Sequence, residues 1–235
     1  MRTAAFSYII KAARKAARKV INLDWLNRIE RKMGRHYIPD LMKYLCLAML
    51  GVFILDYLPL NRSASALLAF DRARIFRGEI WRIITFIFLP PNSGIIWIIF
   101  SLYFSYFIGT SLEHQWGSKR FNIYYALGII GNIIAGFITG YATNGYLNTS
   151  LLLSFAVLFP DTEFMLFFFL PVKAKWFGIF AGALLIYEFL FSPFAYKVAL
   201  LFSLLPFFIF FGKSAWLQLR MDFRRLMFKI NNMKK

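Results

Sequence analysis

The chain has 235 residues, 60% of them hydrophobic and 20% aromatic, and a formal net charge of +17. Soluble domains sit at roughly 45–50% apolar, so the composition excludes an ordinary soluble domain and reads as an integral membrane protein. A single cysteine, Cys46, excludes an intrachain disulfide and a cysteine-type zinc site. The basic excess brackets apolar runs, as the positive-inside rule describes, so a nucleic-acid partner is not expected.

Residues 1–40 are read as a basic amphipathic cytoplasmic segment. Lys11, Arg14, Lys15, Arg18 and Lys19 recur at helical spacing, with Ile10, Ala13, Ala17 and Val20 opposite. That pattern suits a helix on an anionic inner leaflet. A second pattern sets Leu23, Leu26, Ile29 and Met33 against Arg28, Arg31 and Lys32 and is expected to dock under the membrane domain. No cleavable signal peptide is expected, because the first long apolar run starts at Leu41.

The membrane domain is placed at residues 41–212, with six spans. The first runs from Leu41 to Leu58, with Asp56 as a hydrogen-bonding group at its outer end. Residues 60–93 form a connection too long to be featureless. They are read as a partly embedded outer loop, with the Trp81 ring at headgroup depth and the Arg82 guanidinium on phosphate or backbone carbonyls. The second span, Gly94 to Glu113, turns at Gly117 into the third, with Ser118 expected to cap that helix and Glu113 to accept N–H groups at its start. The third span, Phe121 to Tyr141, carries Gly128, Asn132, Gly136 and Gly140 four apart, a close-packing row.

The fourth span, Tyr146 to Phe159, is short. Crossing a hydrocarbon core takes about 20 residues, so this helix must be wrapped by longer ones, with a hollow above its start. The fifth span is placed at Val172 to Phe191 and the sixth at Phe194 to Gly212. Residues 213–235 repeat the basic amphipathic pattern. Twenty-two Lys and Arg fall on the side of the termini and six on the other, which puts both termini in the cytoplasm. His36 and His114 map to that same side.

Trp81-Arg82-x-x-Thr85 in an embedded first outer loop, Leu112-Glu113-x-x-x-Gly117 followed by Arg120, and a short fourth span ending at Pro160 together resemble the rhomboid superfamily. The resemblance implies a six-helix bundle and places these motif residues in structural roles. Active rhomboids are intramembrane serine proteases with Gly-x-Ser-Gly at the start of the fourth span and a histidine in the sixth. This chain has neither. The implied function is therefore a rhomboid-like pseudoprotease, an adaptor that binds transmembrane segments of other proteins, with no cofactor, no metal and no catalytic residue assigned.

Tyr146, Asn148, Ser150 and Ser154 are the candidates to line an outer groove. An active protease using Ser150 with Lys197 as base is the alternative, and the enzyme question leans against activity. A small transporter or channel is disfavoured, because no paired intramembrane charge is visible and Glu188 has no evident partner. A bacterial cytoplasmic membrane is the expected location.

Overall fold

The computed structural model describes residues 24–58, 63–91, 94–166 and 170–211. The basic helix expected within residues 1–23 and the amphipathic tail at 213–235 lie outside the described residues. In chain order the elements are α1 (Asp24–Lys32), α2 (Leu41–Tyr57), α3 (Ala64–Leu68), α4 (Arg72–Phe76) and α5 (Arg82–Thr85), which runs into a 3-10 turn at Phe86–Phe88. Then come α6 (Ile95–Trp116), α7 (Ser118–Thr139), α8 (Gly145–Leu158), strands β1 (Glu163–Leu166) and β2 (Leu170–Lys173), α9 (Ala174–Phe191) and α10 (Phe194–Phe211). Four of these helices, α6, α7, α9 and α10, are long and apolar enough to cross a membrane. With α2 at 17 residues and α8 at 14, two apolar helices are shorter.

The short helix α8 lies at the centre. At 1.5 Å per residue it rises roughly 21 Å, less than a hydrocarbon core of about 30 Å. It buries Leu147, Leu151 and Phe155 among its neighbours. Glycines set how near those neighbours come. A Cβ on Gly128 of α7 would lie 2.2 Å from the Leu147 side chain, and one on Gly178 of α9 would lie 2.5 Å from Ala156. The expected glycine row on α7 divides its work: Gly128 admits α8, Asn132 bonds Ser203 of α10 at 2.5 Å, and Gly136 faces Phe70 of the outer loop.

An all-α architecture needs one correction. The apolar stretch expected to lead directly into a fifth span at Val172 folds instead as an antiparallel pair, Glu163 opposite Lys173, and α9 begins at Ala174. Pro171 lacks the N–H a helix interior needs, and a run of Phe, Met and Val is content in a strand. Phe164 is held among the rings of Phe104, Phe107, Phe155 and Phe177 at centroid distances of 4.9 to 5.6 Å.

At the basic end, Gly117 alone joins α6 to α7, at φ 87, a value that favours glycine. Ser118 is already inside α7 and caps nothing. Glu113 also differs from expectation: its Oε1 accepts the N–H of Asp40 at 2.8 Å and so anchors the start of α2, not of α7. Arg120 reaches Glu30 Oε2 at 2.9 Å and Asn27 Oδ1 at 3.0 Å. Leu26 is fully buried and docks α1 against the α6–α7 turn, whereas Ile29 of the expected apolar stripe is exposed.

Candidate functional site

The outer loop is built by satisfying backbone oxygens. A helix leaves its last four carbonyls without intrahelical donors, and in lipid such groups must find partners within the protein. At the end of α3 they find three side chains. Arg82 Nη1 donates to the carbonyls of Ala66 at 2.8 Å and Ala69 at 2.7 Å. Trp81 Nε1 donates to Leu67 at 3.2 Å, and Thr85 Oγ1 to Leu68 at 2.9 Å. The residues of the Trp81-Arg82-x-x-Thr85 pattern thus serve four consecutive carbonyls. Arg82, only 1% exposed, is neutralised by Glu79 at 2.5 Å. Asp56 at the end of α2 holds the start of α3 by accepting the N–H and hydroxyl of Ser65.

A second clamp ties this loop to α8. Asn144, just before the helix, donates through Nδ2 to the carbonyls of Ile87 at 3.1 Å and Leu89 at 2.9 Å. Between loop, α6 and α8 lies a cavity of about 580 Å³. Its polar lining is Ser65, Ser101, Ser105, Thr143, Asn144, Asn148 and Thr149, and its apolar lining includes Phe104, Leu151, Leu152 and Pro90. None of its lining residues carries a charge. Asn148 Oδ1 is enclosed and has no hydrogen-bond partner.

Of the four groove candidates, the structure brings only Asn148 to this cavity. Ser150 and Ser154 are 0% exposed and lie on another face of α8. Their hydroxyls donate to the carbonyls of Leu147 at 2.7 Å and Ser150 at 2.9 Å, and the Tyr124 hydroxyl of α7 lies 3.0 Å from Ser150 Oγ and 2.9 Å from Ser154 Oγ. Two serines, one tyrosine and two carbonyls close a saturated network. A serine nucleophile needs a base within hydrogen-bond reach. Lys197 donates elsewhere, to the Leu190 carbonyl at 3.3 Å.

Tyr146 faces a third direction, where its hydroxyl donates to Glu188 of α9. Glu188 therefore has a partner that the sequence did not reveal. Tyr141, in the connection before α8, packs its ring 5.4 Å from that of Tyr196.

The remaining motif residues stand at the opposite end. Leu112 is fully buried in the core, and His114 borders a pocket of about 270 Å³ with Asp40, Thr110, Glu113 and Gly117. Ser65, Ser101, Ser105, Thr143, Asn144 and Thr149 are the polar site residues that sequence reasoning missed. Serines four apart in an otherwise apolar helix were a legible signal, the same one that singled out Ser150 and Ser154.

Residues 43–146 match the model of a family described as eukaryotic integral membrane protein (DUF1751). No curated protein and no solved structure gave a significant match to the chain. The matched part runs from α2 to the first turn of α8. It holds the outer loop, its clamp and the α6–α7 turn, and it leaves out β1, β2, α9 and α10. The chain is an integral membrane protein with several apolar helices. The rhomboid resemblance rests on the chain's own motifs, and the eukaryotic description lends no support to a bacterial location.

Proposed function

We propose that this chain is a rhomboid-like membrane protein without protease chemistry, which receives a transmembrane segment of another membrane protein in the cavity beside α8 and acts as an adaptor in trafficking, folding or degradation. The observation that carries this reading is the cavity's lining. It offers neutral hydrogen-bonding groups and apolar walls, a surface suited to uncharged chain, and it keeps one enclosed acceptor, Asn148 Oδ1, without a partner. A buried polar group left unpaired is costly, so a guest that donates an N–H or O–H there gains what the protein itself leaves open.

In this reading α2 and α8 complete six crossings, and the termini share the cytoplasmic side. The docking of α1 on Arg120 supports that arrangement, because it gathers the basic residues of α1 with Lys119 and Arg120 at one end. The basic segments at both ends of the sequence would then meet anionic lipid.

The test is co-purification from native membranes, comparing the wild-type chain with Leu152→Trp, which fills the cavity. Membrane proteins should be recovered with the wild type and fall at least about fivefold with the variant, which corresponds to roughly 1 kcal/mol of binding. No membrane protein above background overturns the adaptor reading. Labelling by a fluorophosphonate that disappears in Ser150→Ala overturns the absence of protease chemistry.

A further inference from the structure

A second polar cluster lies apart from the cavity, where α8, α9 and α10 meet near the Asn144 end of α8. Glu188 stands one turn before the end of α9 and accepts the Tyr146 hydroxyl. Among the described residues it has no ion pair, and no further hydrogen bond reaches its carboxylate. Tyr141 and Tyr196 lie beside it, their rings tilted 56° to one another at a centroid distance of 5.4 Å. Lys197 follows Tyr196 in sequence. Its ammonium sits against the last turn of α9, on the Leu190 carbonyl and 6.0 Å from the Phe189 ring centroid. An acid and a base thus border one helix end without neutralising each other. None of these residues lines the cavity.

A carboxylate among aromatic rings is the chemistry that recognises an organic ammonium, and an exposed lysine ammonium is a partner for phosphate. Helix ends lie at headgroup depth, where tyrosines anchor. The flanks are apolar and exposed, at Tyr187, Phe191 and Phe194, where acyl chains can lie. We propose that Glu188, Tyr141, Tyr146, Tyr196 and Lys197 form a site for the zwitterionic headgroup of a phospholipid, its ammonium against Glu188 and the tyrosine rings and its phosphate against Lys197. The site is independent of the adaptor reading, because a lipid can occupy it whether or not the cavity holds a client.

The experiment is native mass spectrometry of the full chain released from micelles that contain equal amounts of phosphatidylethanolamine, phosphatidylcholine and phosphatidylglycerol. The two zwitterionic lipids should be retained about tenfold over phosphatidylglycerol, the ratio that one headgroup contact of this kind supports. Glu188→Gln should abolish the preference. Tyr196→Leu, at a ring that is 42% exposed and so tolerant of change, should reduce it severalfold. Soluble phosphocholine at the lipids' concentration should displace nothing. Equal retention of the three lipids by the wild type overturns the proposal, as does a preference that survives both substitutions. Full displacement by soluble phosphocholine reassigns the site to a free amine, and competition by a lysine-bearing transmembrane peptide without lipid retention reassigns it to a protein; either result overturns the lipid assignment.

Discussion

Two faces of α8 carry polar groups and treat them differently. On one, Ser150 and Ser154 give their protons to carbonyls of their own helix and share the Tyr124 hydroxyl, so every group is matched and water has no place. On the other, Asn148 and Thr149 face a hollow, and Asn148 Oδ1 is matched by nothing. Saturation on this face marks polar groups that serve packing. An open acceptor beside a cavity marks a place where something else is received. The serines, the residues chemically suited to catalysis, stand on the closed face.

Substitutions at three positions break or sharpen this contrast. The largest effect belongs to the outer loop. Arg82→Ala strips the donor from the Ala66 and Ala69 carbonyls, and two backbone acceptors left unpaired at about 1–3 kcal/mol each cost about 2–6 kcal/mol together. A fall in apparent Tm in micelles checks it. Arg82→Lys should fail to restore the wild-type Tm, since a single ammonium cannot reproduce the spread of a guanidinium.

On the closed face, Tyr124→Phe removes the hydroxyl that the two serines share and should cost about 1–2 kcal/mol, read by the same melt. On the open face, Asn148→Leu should move stability by no more than about 0.5 kcal/mol, because its Oδ1 has no partner to lose. It should nonetheless weaken client recovery. A large destabilisation by Asn148→Leu would mean that the open face is structural after all.

Much of this layout was legible in the residues. The shortness of the run from Tyr146 to Phe159 already placed α8 among longer helices, and the Trp81-Arg82-x-x-Thr85 spacing named the side chains that hold the loop. What the sequence could not say was which of two partners Arg82 would choose; the structure puts it on backbone carbonyls. Long-range pairings stayed hidden. Glu113 reaches Asp40 across 73 positions, and Tyr146 reaches Glu188 across 42, so no periodicity within a helix records either. The strand pair was hidden for another reason. A short apolar run reads equally as buried strand or as helix, and the rings around Phe164 that decide the matter come from three other helices. Of the groove candidates, helical spacing grouped Ser150 with Ser154, but which face would meet a cavity depended on Tyr124, on a helix whose contact with α8 is set by Gly128.

The most direct measurement is site-specific photocrosslinking in native membranes, with the probe at Leu152 in the cavity and, separately, at Ile186 on the exposed side of α9. The account predicts discrete protein adducts from Leu152, weakened by Asn148→Leu, and only lipid adducts from Ile186. Lipid adducts alone from both positions, or protein adducts from Leu152 that are indifferent to Asn148, would contradict it.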